Sequence, residues 1–395
     1  MKNAVYFQSG GPTSVINTSF LGVIKKYQEN DEVDVLYGSK YGIQGLIDDD
    51  LILIDKNKDY SSLSKIPGAI LGSARVKLSN EFDKTYYQIL DTLKKHSIEY
   101  IFINGGNDSM DTGNKLLSFL KKENYKCQVV GICKTIDNDL EEMDFSPGFP
   151  SAVNYIVKSI MEISLDTRSY KKGRVTIVET MGRDAGWLCA SSFLANDFGY
   201  GPDLIYLPEV NFNVNNFLED VKKVYQEQGR VLVCVSEALK DNRGNYIFND
   251  NSKLDSFGHT QLGSISKTLC DIVKEKLNYP TRAIEFNLMQ RCSSHIQSKL
   301  DTKVALECGE NAYNFALDKK SGVICVRIDN RKINYRIENF EKIANRIRRV
   351  PLEFISEEGN GLSKKGKEYF EFFKDDSLKI DIPEDLKGVT NGKNS

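Results

Sequence analysis

The sequence has 395 residues, of which 40% are hydrophobic and 27% are charged, enough to build a sizeable core and more than one globular lobe. Its formal net charge of -2 argues against bulk binding to nucleic acid or to a membrane surface, because both require a positive field. The eight cysteines form no C-x-x-C pair, so they indicate neither a disulfide framework nor a zinc site. No signal peptide precedes the first motif and the apolar runs are too short to span a bilayer, so we expect a cytoplasmic protein.

Short β-branched or aromatic runs alternate with amphipathic stretches along the chain. This alternation is typical of repeated β-α units and predicts a doubly wound α/β fold with mainly parallel sheets. The predicted strands cover residues 4–7, 33–37, 100–104, 129–133, 174–179, 203–207, 230–235 and 323–328. The predicted helices include 82–95 and 221–228. In the first of these, helical spacing makes core positions of Tyr86, Ile89, Leu90 and Leu93.

The turn-rich residues 146–150 mark a boundary between two lobes. We expect one lobe over residues 1–148, completed by residues near 292–350. The second lobe is expected over 149–291, completed by residues near 351–387. The polar stretch 240–255 indicates a surface hairpin or an insertion, and the tail 388–395 is expected to be frayed.

The segment after the first predicted strand runs from Ser9 to Ser14 and contains Gly10 and Gly11. In open parallel sheets, ligands bind beyond the carboxyl ends of strands, where helix N-termini offer unpaired N–H groups. Glycines let these amides approach an anion such as phosphate. The segment matches neither a Walker loop nor a dinucleotide fingerprint, and taken alone it also fits a simple tight turn.

A second strand end repeats this arrangement with Gly105, Gly106, Asn107, Asp108 and Ser109 before an amphipathic helix. Asn107 and Asp108 supply oxygen atoms of the kind that bind Mg²⁺ together with substrate phosphates. A helix cap formed by the Asp or Ser side chain fits the same residues equally well.

The third strand end is the loop from Lys134 to Asp139, which places a cation, a hydroxyl and two carboxylates within six residues. An aspartate can accept the proton of an attacking sugar hydroxyl, while Lys134 and Thr135 can stabilise charge on a transferred phosphoryl group. The glycine and distal glutamate of a calcium loop are absent. A solvated acidic turn is the alternative.

Later strand ends carry Met181 to Asp184, Pro208 with Glu209, and Ser236 with Glu237. Guanidinium groups bind phosphate through paired hydrogen bonds, so several arginines suit a substrate with more than one phosphate. The candidate arginines are Arg75, Arg174, Arg183, Arg282 and Arg291. Any single one of them is more often a surface charge.

Together, the order and spacing of these motifs resemble the phosphofructokinase family from about residue 4 to about residue 350. The resemblance implies two similar lobes with the active site in the cleft between them. It also implies transfer of a phosphoryl group to the 1-hydroxyl of fructose 6-phosphate, with Mg²⁺ as cofactor. The first lobe would bind the donor phosphate and the second lobe the sugar phosphate.

The resemblance assigns site residues by position. Asp137 would be the general base and Arg183 the transition-state arginine. The sugar-phosphate site would be lined by Thr135, Asp137, Asp139, Met181, Gly182, Arg183, Glu237, Gln290 and Arg291. Gly11 and Arg75 match donor-phosphate positions, and Asn107 falls where ATP-using members place a magnesium-binding aspartate.

Arg174 and Arg282 match arginines that reach the sugar phosphate of a neighbouring subunit. A homodimer or a homotetramer is therefore implied.

Two positions bear on the donor, because ATP-using members have glycine where this chain has Asp108 and Lys134. Members that use pyrophosphate have Asp and Lys there, as in this sequence. A carboxylate at 108 would repel a nucleotide α-phosphate, and an ammonium at 134 can neutralise the departing phosphate. We therefore expect pyrophosphate as donor. Asn107 in place of the usual acid weakens the metal assignment and leaves Asp108 or Asp139, acting through water, as alternative metal-side groups.

Two other functions stay open at this point. One is an ATP-dependent phosphofructokinase, and the other is a non-catalytic sugar-phosphate sensor or regulatory subunit. The presence of Asp137, Arg183 and Thr135 argues against the sensor. The acceptor range, including seven-carbon sugar phosphates, and any effector site are not indicated by the sequence.

Overall fold

The computed structural model describes residues 2–74, 76–247, 249–254 and 260–383. The chain divides into two compact units, Met1–Ser151 with Arg291–Arg348 and Ala152–Gln290 with Arg349–Ser395. Arg75, the tail 388–395 and part of the stretch 240–255 lie outside the described residues. No helix in the described part of the chain is long and apolar enough to cross a membrane.

The secondary structure alternates strands and helices along most of the chain. The strands are β1 (Asn3–Gln8), β2 (Leu36–Ser39), β3 (Leu51–Leu53), β4 (Ile98–Gly105), β5 (Gln128–Cys133), β6 (Val175–Thr180), β7 (Leu204–Tyr206), β8 (Val231–Ser236), β9 (Asn249–Leu254), β10 (Thr260–Leu262), β11 (Thr281–Glu285), β12 (Gly322–Asp329) and β13 (Lys332–Glu338). The helices are α1 (Ile16–Glu29), α2 (Ile43–Ile47), α3 (Lys84–Lys95), α4 (Asn107–Lys122), α5 (Phe149–Arg168), α6 (Trp187–Ser191), α7 (Val214–Gln228), α8 (Ile265–Leu277), α9 (Met289–Cys292), α10 (Lys299–Leu317) and α11 (Lys364–Phe370).

The first unit contains a seven-stranded sheet in the order β13-β12-β5-β4-β1-β2-β3. Its five central strands pair in parallel, and the edge strands β3 and β13 pair antiparallel with their neighbours. All six residues of β1 are buried, as are seven of the eight residues of β4. Continuous burial follows from helices covering both faces of a parallel sheet.

The second unit contains a parallel four-stranded sheet in the order β11-β6-β8-β7 and an antiparallel pair, β9 and β10. Residues of β6 and β8 form a hydrophobic core with α7 and α8. The predicted doubly wound α/β class is confirmed, and each of the eight predicted strands is present. The second strand begins at Leu36, later than predicted. The strands β3, β10, β11 and β13 were not predicted, and β9 lies in the stretch 240–255 for which a surface hairpin or an insertion was expected.

The strand order of the first sheet locates its ligand-binding edge. The chain moves from β1 outward to β2 on one side, and later returns to add β4, β5 and β12 on the other side. The reversal lies between β1 and β4, where Ser9 N donates to Asn104 O at 2.9 Å. Such reversal points are where open α/β sheets bind ligands. The loops after β1, β4 and β5 all leave the carboxyl edge of the sheet at this region.

Candidate active site

The loop after β1 contains a glycine turn. Gly10 has a φ of +75°, a left-handed conformation that glycine adopts without steric cost. A Cβ on Gly11 would lie 2.8 Å from Arg291 Nη1, so the guanidinium lies against the Gly11 backbone. Helix α1 begins at Ile16 without a side-chain cap. The loop and Arg291 thus place a cation beside exposed backbone at the start of a helix.

Lys134 packs against the buried side of this loop, and only 2% of the residue is exposed. Its Nζ donates to Gly11 O at 2.5 Å and to Ser9 O at 3.1 Å. Burial, reinforced by the nearby Arg291 charge, lowers the pKa of Lys134 to about 8. An ammonium has three donors, so one N–H is left beyond these two bonds. The ammonium of Lys134 therefore places a positive charge against the backbone of the glycine turn.

The loop that follows Lys134 alternates between buried and accessible positions. Ile136, Asn138 and Leu140 are buried, whereas the polar residues Thr135, Asp137 and Asp139 are half-buried. The hydroxyl and the two carboxylates are therefore the partly accessible groups of this loop.

The backbone of this loop is held by two of its own side chains and by Arg348. Thr135 Oγ1 accepts a hydrogen bond from Asp137 N at 3.1 Å. Asn138 has a φ of +55°, and its Oδ1 accepts from Ser146 N at 3.1 Å. Arg348 N donates to Asp139 O at 2.8 Å, and Arg348 Nη1 donates to Asn138 O at 3.1 Å. These bonds distinguish the loop from a solvated acidic turn.

The start of α4 does not use the predicted side-chain cap. Gly106 occupies the N-cap position, and no side chain caps the helix. Asp108 is exposed in the first turn, and its carboxylate has no hydrogen-bond partner among the residues that the structure describes. Asn107 Oδ1 accepts from Asn345 N at 2.6 Å, and its Nδ2 donates to Arg346 O.

These contacts bear on the expected magnesium site. Both polar atoms of the Asn107 side chain are bound to backbone groups. Within the described ranges, no group of three or more His, Cys, Asp or Glu side chains is arranged to hold a metal ion. A Mg²⁺ ion bound to Asn107 would therefore have to share Oδ1 with the Asn345 N–H, and the role of Asn107 as a magnesium ligand stays a prediction.

The turn after β6 in the second unit carries Met181, Gly182 and Arg183. Gly182 has a φ of +135° and Arg183 a φ of +48°, a conformation that costs energy for a residue with a Cβ. Glu237 Oε1 accepts from Gly182 N at 3.2 Å and from Arg183 N at 3.0 Å. Glu237 follows β8, and its own N donates to Thr180 O at 3.0 Å. Glu237 thus stabilises the strained turn.

Gln290 supports the same turn from another direction. Its side chain is buried, its Oε1 accepts from Met181 N at 3.3 Å and its Nε2 donates to Asn287 O at 3.0 Å. Glu209 binds the next residues, because its Oε1 accepts from Gly186 N at 2.8 Å, and burial raises the pKa of Glu209. The second unit therefore brings together five predicted site residues, Met181, Gly182, Arg183, Glu237 and Gln290.

Arg174 and Arg282 lie near the amino-terminal ends of the strands of the second sheet, and the Met181 turn lies at the carboxyl end of β6. Arg174 directly precedes β6, and Arg282 is the second residue of β11, where it pairs in register with Thr176. Six residues of β6 separate its amino-terminal end from the Met181 turn, which corresponds to roughly 20 Å at 3.3 Å per residue. Within one chain, these two arginines are not brought together with the residues around Arg183.

The sequence pattern did not point to residues 345–348, which contact both α4 and the Asp137 loop. A local signal was present, because Arg346, Arg348 and Arg349 are closely spaced after Asn345. In the first unit the structure brings Asn345, Arg346 and Arg348 together with Gly11, Asn107, Asp108, Lys134, Thr135, Asp137, Asp139 and Arg291.

Comparison with known proteins identifies the family of this chain. The family model described as Phosphofructokinase matches residues 3–316. The chain belongs to the phosphofructokinase family. As a phosphofructokinase, it is a phosphotransferase, in agreement with the resemblance read from its motifs.

Several related proteins are similar to this chain over nearly its whole length. A pyrophosphate–fructose 6-phosphate 1-phosphotransferase of Xanthomonas campestris pv. campestris (strain B100) is 35% identical over 382 residues, which cover 93% of this chain and 90% of that protein. A sulfofructose kinase of Alkalicoccus urumqiensis is 32% identical over 359 residues, covering 90% and 89%. The crystal structure of a pyrophosphate-dependent phosphofructokinase from Nitrosospira multiformis is 30% identical, with a TM-score of 0.85 and coverage of 100% and 97%.

Proposed function

We propose that this phosphofructokinase transfers a phosphoryl group from inorganic pyrophosphate to the 1-hydroxyl of fructose 6-phosphate, giving fructose 1,6-bisphosphate and phosphate. The observation that carries the proposal is the buried ammonium of Lys134, bound to the carbonyls of Ser9 and Gly11. The exposed carboxylate of Asp108 lies on the neighbouring helix α4. Relatives named for this reaction support the assignment.

In the proposed step, the 1-hydroxyl oxygen of the sugar attacks one phosphorus of pyrophosphate. The bond from that phosphorus to the bridging oxygen breaks, and orthophosphate leaves. Asp137 accepts the proton of the hydroxyl, and Lys134 stabilises negative charge on the phosphoryl oxygens. Arg291 keeps its assignment to the sugar-phosphate site. Gly11 lets the donor approach the backbone, and Arg75 is assigned to the donor from the family resemblance alone.

The donor preference follows from charge. Like charges repel each other, and solvent reduces but does not abolish this repulsion at an exposed carboxylate such as that of Asp108. Asp108 would impose a repulsion of this kind on the α-phosphate of ATP, whereas pyrophosphate has no third phosphate. Lys134 supplies the opposite charge to the phosphate that departs. An ATP-dependent phosphofructokinase is the competing assignment, and Asp108→Gly with Lys134→Gly is expected to shift preference toward it.

The sugar-phosphate roles are proposed for both units. In the first unit, Thr135 and Asp139 are assigned to the sugar beside Asp137. In the second unit, Met181, Gly182, Glu237 and Gln290 shape the turn that presents Arg183, which is proposed to stabilise the transition state. Arg174 and Arg282 are proposed to serve the sugar phosphate of a neighbouring copy, because they lie at the other edge of their own sheet.

That assignment makes the protein a homodimer or a homotetramer. Mg²⁺ is proposed as the counter-ion of pyrophosphate, since it commonly keeps its waters and bridges phosphate oxygens. No residue is assigned as its direct ligand. Asp108 or Asp139, acting through water, stays a prediction.

The experiment that tests the function follows both directions by phosphorus NMR. Purified protein with Mg²⁺, fructose 6-phosphate and pyrophosphate is expected to form fructose 1,6-bisphosphate and orthophosphate in equal amounts. Fructose 1,6-bisphosphate with orthophosphate is expected to return pyrophosphate, because the bonds broken and formed have similar energies. Binding of fructose 6-phosphate without turnover on either donor would instead support a sensor.

The relative named sulfofructose kinase raises a second acceptor. A sulfonate group carries one negative charge, whereas a phosphate carries up to two. Several arginines at the sugar site therefore favour the phosphate. A comparison of kcat/KM for fructose 6-phosphate, a seven-carbon sugar phosphate and sulfofructose is expected to favour the first, and preference for the sulfonate would reassign the acceptor.

A further inference from the structure

Asn107 stands where the family resemblance led us to expect a magnesium-binding acid, yet its side chain is committed to the protein backbone. Its Oδ1 accepts from Asn345 N at 2.6 Å, and its Nδ2 donates to the carbonyl of Arg346. Both partners are more than 230 positions away in the sequence. The amide of Asn107 therefore joins the start of α4 to residues 345–348, which we call the arginine segment.

The arginine segment has further contacts at both of its ends. At one end, Asn345 Nδ2 donates to Asp111 Oδ1 at 2.8 Å, and Asp111 also pairs with Lys115 at 2.7 Å. Asn345 has a φ of +60°, a left-handed conformation that asparagine tolerates better than most residues. At the other end, Arg348 binds the carbonyls of Asn138 and Asp139. The segment thus connects α4 to the loop that carries Asp137.

The chemistry of these bonds requires an amide at position 107. A carboxylate accepts hydrogen bonds and cannot donate to the carbonyl of Arg346, so an aspartate would leave that oxygen facing another oxygen. A Mg²⁺ ion would need the same Oδ1 that already accepts from Asn345 N–H.

We infer that Asn107 is a positioning residue for the Asp137 loop and not a magnesium ligand. By holding Asn345 and Arg346 against α4, it keeps Arg348 on the backbone of Asn138 and Asp139. Asp137, the residue to which we assign the proton transfer, lies next to these carbonyls. The effect on turnover rests on the proposed function, whereas the structural connection does not.

Hydrogen exchange of the protein without substrate tests the connection directly. Replacing Asn107 with alanine removes an acceptor from Asn345 N–H and a donor from Arg346 O. Exchange in peptides covering 340–348 and 135–139 is expected to rise about tenfold or more, because local opening costs less. Asn345→Gly, which removes the bond to Asp111, is expected to raise exchange in the same peptides.

Asp108→Ala is the matched control, because Asp108 is the next residue of α4 and its carboxylate has no partner among the described residues. It is expected to leave exchange in peptides 340–348 unchanged. Unchanged exchange in both Asn107→Ala and Asn345→Gly would overturn the inference. This measurement uses no donor, so its failure is distinct from failure of the proposed reaction.

Turnover as a function of free Mg²⁺ separates positioning from ligation. A positioning role predicts that kcat of Asn107→Ala falls by roughly tenfold to a hundredfold, since small misplacements near a reacting group have effects of that size. The half-saturating Mg²⁺ concentration is expected to stay within about twofold for Asn107→Ala and Asn107→Asp, as for a residue outside the metal shell.

A ligand role predicts the opposite pattern. Asn107→Asp would then bind Mg²⁺ more tightly and keep its kcat, and Asn107→Ala would need at least about tenfold more Mg²⁺. That result would overturn the inference. If the protein proves to use ATP, the same titration with ATP as donor gives the same discrimination.

Discussion

The loop after β5 and the turn after β6 each contain a charged side chain that is bound by backbone groups, and the two charges have opposite signs. In the loop after β5, the buried ammonium of Lys134 is satisfied by the carbonyl oxygens of Ser9 and Gly11. In the turn after β6, the carboxylate of Glu237 is satisfied by the N–H groups of Gly182 and Arg183. Each charge is bound by backbone groups, which removes much of the cost of burying it.

This difference in charge and in free donors determines how each strand end can bind a phosphate. The β5 side keeps a positive charge with one donor left over, beside the guanidinium of Arg291. On the β6 side, the N–H groups of Gly182 and Arg183 are already used by Glu237, so this turn is not built to bind a phosphate through its backbone. Its function is to fix the direction of side chains. The following substitutions test this division.

The largest effect is expected at the loop after β5, where Asp137→Ser removes the proposed base. Turnover is expected to fall by about 10²- to 10⁴-fold, the usual range for loss of a general base. The melting temperature should change little, because the loop backbone is held by Thr135, Asn138 and Arg348. Steady-state kinetics with a melting curve on the same sample measure both, and turnover within tenfold of wild type would reject the assignment.

Lys134→Met tests the buried charge while keeping the length of the side chain. We expect kcat/KM for pyrophosphate to fall by about 10²- to 10³-fold, as when a preorganised donor is lost. In the wild type, kcat/KM should decline as pH rises through about 8, because Lys134 then loses its proton. The variant should lack this decline. A wild-type decline that persists in Lys134→Met would assign the titration to another group.

Glu237→Ala tests the turn after β6 and is expected to act on side-chain direction. Two backbone N–H groups lose their acceptor and the strained φ of Arg183 loses its support. We expect kcat to fall by roughly tenfold to a hundredfold through misplacement of Arg183. Glu237→Gln keeps a carbonyl oxygen and should recover most of the activity. If Glu237→Gln is as impaired as Glu237→Ala, the charge itself and not the turn geometry is required.

Asp301→Asn gives the smallest expected effect on activity and tests the support beneath the loop after β5. Asp301 is buried and accepts from Gly148 N at 2.8 Å and Ser151 N at 3.1 Å, and Gly148 forms a bridge with Thr135. Burial raises the pKa of Asp301 from 3.8 to about 6. The folded state therefore holds the proton more tightly than the unfolded state.

This stabilising contribution is complete below about pH 4 and is lost as pH rises through about 6. The difference in unfolding free energy between wild type and Asp301→Asn should then fall by up to about 3 kcal/mol from pH 4 to pH 7. Urea denaturation at several pH values measures this difference. A difference independent of pH would show that Asp301 does not titrate in this range.

Local sequence patterns predicted the central strands because parallel strands covered on both faces are continuous apolar runs. The edge strand β13 was missed, although Ile333, Tyr335 and Ile337 alternate with polar residues as half-buried strands do. The strand β11 has only five residues and gives a weak signal. The helix 82–95 was predicted well because Tyr86, Ile89, Leu90 and Leu93 form one buried face.

The site was predictable where its chemistry is local and not where it depends on distant contacts. The sequence located Lys134, but its bonds to Ser9 and Gly11 join residues more than 120 positions apart. The partners of Asn107 are farther still, and no pattern in the sequence records them. Such pairings are fixed by the order of the strands, which brings distant loops to one edge of a sheet.

The donor preference tests the central claim most directly. The measurement is the ratio of kcat/KM for pyrophosphate to kcat/KM for ATP, with fructose 6-phosphate and free Mg²⁺ held fixed. The buried Lys134 and the exposed Asp108 predict a ratio of at least about 10², equivalent to about 2.7 kcal/mol of differential transition-state stabilisation. They also predict that Asp108→Gly lowers the ratio by weakening the repulsion of ATP. A wild-type ratio below one would contradict the account.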